Sequence, residues 1–243
     1  MSRAGDLRIL YHMLFARSRG ATHAERLEAF YQNQADGYDG FRERLLHGRK
    51  ELYERLPTVQ QGVWVEMGGG TASNLEYLED RISAFERVFV VDLSPSLLDV
   101  GRRRAAKQGW KNVEFVEKDI TKIEAPPADV VTFSYSLTMI PDWFAAVDRA
   151  KALLKPGGVI GVVDFYVARK FPAEGRARHG WTTRSFWPIW FGGDNVHPSP
   201  DHLPYLEASF ETLWRSEGRG KVPYLPLLRA PYYAFIGRKK QEA

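Results

Sequence analysis

The sequence predicts an α/β protein with a mostly parallel sheet covered by helices on both faces. Three observations carry that reading. Short apolar runs alternate with helical segments along the chain, two of those runs end in an acid, and the first breaks straight into three glycines. Strands fall near 63–67, 88–92, 113–117, 129–134 and 158–165, with helices at about 73–83, 95–108 and 142–154. Right-handed crossovers between such units force parallel pairing and put a ligand at the carboxyl ends of the strands.

Taken in order, Val63-Trp64-Val65-Glu66-Met67 has the branching and bulk of a buried strand, and Gly68-Gly69-Gly70 lets the next turn take positive φ and approach a ligand closely. Arg87-Val88-Phe89-Val90-Val91-Asp92 ends in an acid 22 residues after Gly70, the spacing of a ribose-binding carboxylate in a nucleotide-binding fold. A nicotinamide fold, a flavin fold and a methyltransferase all begin this way. The third position of a G-x-G-x-x-G pattern counted from Gly68 is Ser73, which weakens the dinucleotide reading. The third strand, Val113–Glu117, leads into Lys118-Asp119-Ile120. Further on, Leu153-Leu154-Lys155-Pro156-Gly157-Gly158 reads as a helix end and turn before the strand Val159–Asp164. Ser209–Arg215 and Tyr232–Arg238 read as two late strands.

At 243 residues, with 44% hydrophobic residues and 13% aromatics, one α/β domain with additions accounts for the chain. Residues 1–58 form a helical preface or lid, and 59–243 the ligand-binding domain, with an insertion at about 166–208 rich in Trp, Pro, His and Arg. The absence of cysteine excludes disulfides, thiolate metal sites and a cysteine nucleophile. No H-x-x-x-H spacing occurs among the six histidines, and the chain has no cysteine to complete a site around the lone His23-Ala24-Glu25, so no metal is expected. His47, His179 and His197 stay as proton-handling candidates. A formal charge of +4 suits an anionic surface, but no basic run interleaved with stacking aromatics points to nucleic acid. No signal peptide or bilayer-spanning run is present, so a cytoplasmic protein, peripheral at the inner membrane surface, is expected.

Through Glu66-Met67-Gly68-Gly69-Gly70, Asp92, Lys118-Asp119-Ile120 and Lys155-Pro156-Gly157-Gly158, residues 60–165 resemble a class I S-adenosylmethionine-dependent methyltransferase. The resemblance implies a Rossmann-like, mostly parallel seven-stranded sheet, with the two late strands as its antiparallel edge. It implies S-adenosylmethionine as cofactor, with Glu66 near the methionine portion, Gly68, Gly69 and Gly70 beneath it, and Asp92 on the ribose. Asp119 and Ile120 take the adenine side, and Asn74, Leu93 and Ser134 complete the crevice. Glu66 stands where many of these enzymes have Asp, and Ala72 where the turn often has Gly.

A second set of blocks extends the resemblance. Phe30-Tyr31-Gln32-Asn33-Gln34-Ala35-Asp36-Gly37-Tyr38-Asp39-Gly40-Phe41-Arg42, continuing to Leu45-Leu46-His47-Gly48-Arg49, together with Tyr135-Ser136-Leu137-Thr138-Met139-Ile140-Pro141, Gly161–Tyr166, Arg184-Ser185-Phe186-Trp187 and Arg229–Tyr233, are similar to the methyltransferase portion of betaine lipid synthases. That likeness implies trimethylation of the amine of a diacylglyceryl-homoserine lipid, with an aminocarboxypropyl-transferring synthase supplying the substrate. A soluble small molecule or a quinone is the alternative acceptor. A sulfonium carries its own leaving group, so the protein needs chiefly to align a neutral amine and exclude water. Aromatic faces suit the nitrogen as it gains charge. Tyr135 is the first candidate for the pocket wall, followed by Tyr31, Tyr38 and Tyr166, and Arg42 is placed to pair with a carboxylate of substrate or cofactor.

Two stretches bear on lipid contact. Leu7, Leu10, Tyr11, Leu14 and Phe15 recur at helical spacing among arginines, as an interfacial helix or a lid would. Trp181, Phe186, Trp187, Trp190 and Phe191, interleaved with Arg176, Arg178 and Arg184, suit a headgroup belt or an ordinary core.

Overall fold

The computed structural model describes residues 43–193 and 195–240. Tyr31, Tyr38, Arg42 and the stripe from Leu7 to Phe15 lie outside the described residues. The described chain opens with helix α1 (Arg49–Arg55), followed by β1 (Val63–Met67), a 3-10 segment (Ser73–Ala84), β2 (Arg87–Asp92), α2 (Pro95–Gln108), β3 (Val113–Glu117) and β4 (Ala128–Ser134). Helix α3 (Trp143–Leu153), β5 (Leu154–Phe165), α4 (Trp181–Gly192), α5 (His202–Ser209), β6 (Glu211–Val222) and β7 (Leu225–Arg238) complete it.

The strands form one seven-stranded sheet in the order β3-β2-β1-β4-β5-β7-β6. Strands β1 to β5 pair in parallel, whereas β7 runs antiparallel to both β5 and β6. This is a Rossmann-like methyltransferase sheet. The chain winds outward through β2 and β3 on one side of β1 and through β4 and β5 on the other. The direction of winding therefore reverses between β1 and β4, where α/β sheets open a ligand crevice.

Strand alternation sends residues to two cores. Trp64, Val88, Val90 and Val130 join Leu52, Leu75 and Leu78 on one face, and Val65, Met67, Val131 and Phe133 join Ala146, Val147 and Leu206 on the other. Every residue of β1 is buried, including Glu66. Trp64 stays satisfied by donating its indole N–H to Thr132 Oγ1 at 2.9 Å.

Three elements depart from the sequence expectation. The helix expected at 73–83 is a 3-10 segment, broken at Glu79 (φ 51, ψ −132). Leu75 and Leu78 are both buried, three residues apart, the spacing at which 3-10 side chains eclipse. The Pro-Gly-Gly turn is absorbed into β5, which starts at Leu154; Gly157 (φ 78) donates its N–H to Lys239 O, and the pairing with β4 shifts register between Ala128 and Val130. The late strands run well past their predicted limits as a long hairpin. Gly218 and Gly220 lie inside β6, where a Cβ on Gly220 would lie 1.9 Å from the His47 ring and one on Gly218 2.7 Å from Tyr232.

Candidate active site

The crevice is built from the turn that follows β1. Gly68 (φ 70), Gly70 (φ 54) and Ala72 (φ 56) all take left-handed backbone, and the N–H groups of Gly68 and Gly69 both donate to Val91 O. A Cβ at Gly68 would meet Ser136 Cβ at 2.5 Å, and one at Gly69 would meet Val90 Cγ1 at 2.7 Å. Glycine is therefore required by sterics at both positions. Asp92 fixes the rest of the turn: Oδ2 accepts from Gly70 N at 2.9 Å and Oδ1 from Ser94 N at 3.0 Å. A carboxylate has about four lone-pair sites and can accept from several donors at once. Ser94 caps α2, with Pro95 at its first turn.

Above this turn lies a cavity of about 440 Å³. Gly68, Gly69, Gly70, Asn74, Asp92 and Leu93 line one part of it; Asp119 and Ile120 line another, and Ser134 and Tyr135 a third. The structure thus gathers those ten sequence candidates in one place. Glu66 lies just beneath, its Cγ 3.1 Å from where a Gly69 Cβ would stand. Tyr53 O–H (2.9 Å) and Asn74 Nδ2 (2.8 Å) both donate to Glu66 Oε1, while Oε2 is buried with no hydrogen-bond partner. Burial drives this carboxyl up from 4.5 to about 7, against the opposing hydrogen bonds from Asn74 and Tyr53.

Tyr135 sits at the end of β4 in a left-handed conformation (φ 54), a strained geometry for an aromatic residue. Its hydroxyl donates to His47 O at 2.7 Å and its ring meets Phe165 edge-on at 4.7 Å. Burial pushes the phenol well above its usual range, with Asp164 adding to the rise. Its hydroxyl is engaged in holding the chain at His47, and the ring forms the wall.

Tyr166 is placed elsewhere. It sits in the opposite core, donates its hydroxyl to Glu217 Oε2 and meets Tyr233 edge-on; β5 alternation turns it away from Phe165 and the crevice. None of the three candidate histidines lines the cavity. His47 Nε2 pairs with Lys221 O, and buried His179 accepts from Ala168 N at Nδ1, with burial lowering it to about 4. His197 is exposed and donates its backbone N–H to Thr138 O.

Sequence reasoning quoted Arg49 in a resembling block without giving it a role, and missed Tyr53. Buried Arg49 lines the cavity, donating from Nη1 to Asn74 Oδ1 (3.1 Å) and from Nε to Leu46 O (3.2 Å). The signal was present, because Arg49 and Tyr53 stand i, i+4 on α1 and so share one face. Asp142, also unflagged, lines the cavity and caps α3 through Ala145 N. No group of three or more His, Asp or Glu among the described residues is arranged to hold a metal.

These residues fit S-adenosylmethionine. Ser134 Oγ lines the cavity, is buried and has no partner, Asp92 brings a carboxylate to the wall, and the glycine backbone leaves room that a Cβ would fill. Fold and site together define a class I S-adenosylmethionine-dependent methyltransferase. Residues 65–158 match the model of a methyltransferase domain. The chain is 27% identical over 171 residues to the ubiquinone/menaquinone biosynthesis C-methyltransferase UbiE of Pseudomonas fluorescens, covering 67% of each chain. The match to the protein of the same name in Coxiella burnetii, also 27% identical, spans 46% of this chain and 45% of that one, less than half of its length. Among solved structures, the 1,6-didemethyltoxoflavin-N1-methyltransferase of Burkholderia thailandensis, with S-adenosylhomocysteine bound, shares the fold (TM-score 0.59, 18% identity, 92% of each chain).

Proposed function

We propose that the acceptor is the amine of a diacylglyceryl-homoserine lipid, methylated to the trimethylated betaine lipid. The charge of the crevice supports this reading. Asp92, Asp119 and Asp142 line it against a single guanidinium, Arg49, with no lysine or histidine among the lining residues. An acidic, partly enclosed cavity favours a nitrogen that gains positive charge and disfavours a phenolate acceptor. When bound, S-adenosylmethionine supplies an electrophilic methyl group on a positively charged sulfur. Asp92 holds the sugar, Glu66 and Asn74 form the floor, Tyr135 presents an aromatic wall to the amine, and Ile140 and Met139 keep water out. On this reading an aminocarboxypropyl-transferring synthase provides the substrate, and the enzyme works peripherally at the cytoplasmic face of the inner membrane.

A second reading, methylation of a quinol ring carbon, is favoured by the names of the ubiquinone/menaquinone C-methyltransferases to which the chain is similar. Such an acceptor requires a base to form its phenolate, and the lining acids are the candidates. Labelled S-adenosylmethionine offered with a diacylglyceryl-homoserine lipid and, separately, with a demethylated quinol separates the two. Label in the lipid amine, with up to three added methyl masses, supports the first; label in the quinol alone overturns it.

A further inference from the structure

Two apolar surfaces stand uncovered by described residues at the edge of the sheet where the crevice opens. Helix α4, WTTRSFWPIWFG, has one charged residue, Arg184, in 12 positions. A helix with large apolar residues on more than one face normally has them all enclosed. Only one side of α4 is: Trp187 and Phe191 are buried, with Phe191 stacked on Phe165 at the end of β5. Trp181 and Ile189 point outward, 72% and 79% exposed.

The second surface is the tip of the β6–β7 hairpin, which rises beyond the last β5–β7 pair, Phe165 with Tyr232. Strand alternation divides its two faces. Val222, Ala230 and Leu228 turn into the same apolar cluster as Trp187 and Phe191. Arg219, Lys221, Arg229 and Leu227 are exposed, Leu227 at 94%. Helix and hairpin therefore grip one core from opposite sides: Arg219 and Lys221 share the face of β6 on which Glu217 meets Tyr166 in the other core, so the two uncovered faces point in different directions.

Charge identifies what would cover the hairpin. Lys221 and Arg229 are direct cross-strand partners, and like charges so placed repel unless an anion lies between them. Neither they nor Arg219 form an ion pair with a described residue. We propose that the hairpin tip docks the enzyme on an anionic lipid bilayer, with Leu227 entering the interface and Lys221 and Arg229 meeting lipid phosphates. Apolar groups beside a basic cluster are the two signals such attachment needs. The inference rests on the lipid-acceptor reading for its purpose: it brings the crevice mouth to the surface where that acceptor resides.

The test is sedimentation of the full chain with vesicles of phosphatidylcholine alone or mixed with phosphatidylglycerol. Binding to the anionic vesicles is expected to be stronger by about tenfold or more and to weaken with salt. The variants Lys221→Glu/Arg229→Glu and Leu227→Glu each reduce that binding about tenfold, whereas Ile189→Glu on α4 does not, with S-adenosylmethionine affinity retained in calorimetry as the check on folding. Equal binding to both vesicle types, or folded variants that bind like the parent, overturns the proposal. So does a stable dimer that Leu227→Glu dissolves while no vesicle binding occurs. Methyl transfer to detergent-dispersed lipid is read separately. Transfer without vesicle binding overturns docking alone, and vesicle binding without transfer to the lipid amine overturns the acceptor reading alone.

Discussion

Replacing Glu66 by glutamine isolates the electrostatic cost at the floor of the crevice. The wild-type carboxyl is fully buried, with its apparent value raised from 4.5 to about 7. An acid raised on folding contributes stability that is complete below its unfolded value and is lost as pH climbs through the folded one. Here the window is pH 4.5 to 7, where the native protein keeps a proton that the unfolded chain has released. At about 1.4 kcal/mol per pH unit, the loss is about 3 kcal/mol. In thermal terms that is roughly 10 °C for a protein of this size. The glutamine amide has no proton to lose in this range, and its carbonyl can still accept from Tyr53 and Asn74. Denaturant unfolding of the ligand-free protein at about pH 4.5 and about pH 7.5 is expected to show the wild type losing about 3 kcal/mol more than Glu66→Gln. The same ionisation should make S-adenosylmethionine bind more tightly as pH rises, because a bound cation favours the charged acid. Parallel stability curves for the two proteins would refute the reasoning, since they would mean that Glu66 is already ionised at low pH.

Asp92→Ala leaves the Gly70 and Ser94 N–H groups without their acceptor and removes the proposed ribose contact, so S-adenosylmethionine affinity by calorimetry should fall on the order of a hundredfold. Gly69→Ala, which drives a Cβ to 2.7 Å from Val90, should abolish measurable cofactor binding, whereas Gly109→Ala, with nothing within 4 Å of the new Cβ, should cost only about 1 kcal/mol of backbone strain and leave binding intact. Tyr135→Phe strands the carbonyl of His47 and should destabilise by about 1–2 kcal/mol in denaturant unfolding, with a fall in kcat at unchanged cofactor affinity. Asp164→Ala removes the acceptor of both the N–H and the Oγ1 of Thr138 and should destabilise by about 2–3 kcal/mol, least at high pH, where the buried acid, raised to about 7, is itself costly.

Legibility followed locality. β1, β3 and α2 lie where the sequence put them because their signals are short-range: a branched apolar run, and a Ser-Pro cap closed by a glycine. Gly68, Gly69, Gly70 and Asp92 were readable for the same reason, since the turn and the strand end that meet it are neighbouring units of one repeat. Tyr166 was misleading because nothing local reveals which face of β5 points to the crevice; that is set by pairing with β7, about 65 residues downstream. The roles of Arg49 and Tyr53 escaped for a related reason. Their partners, Asn74 and Glu66, are met only when α1 lies across the end of β1. The hairpin runs past its expected limits through Gly218, Gly220 and Pro231, residue types disfavoured inside strands, and the glycines are the positions where Tyr232 and His47 need space.

The residues that sequence reasoning could not place share one property: they join the crevice to elements outside the α/β repeat. The carbonyl of His47 accepts from Tyr135 in the wall, and its ring pairs with Lys221 O in the hairpin and stacks on Tyr232. Two residues on, Arg49 grips Asn74, which in turn donates to Glu66. This short stretch of chain therefore touches the floor, the wall and the hairpin at once. A group bound above Glu66 acts on a side chain already tied to Tyr53 and Asn74 and, through Asn74, to Arg49, so ordering the floor also fixes the segment against which the hairpin rests. Methyl-group placement and the attitude of the hairpin are set by the same contacts. A hydrogen-exchange measurement with and without S-adenosylmethionine should accordingly show protection at residues 219–222 as well as at the glycine turn; protection confined to the turn would show that the segment transmits nothing.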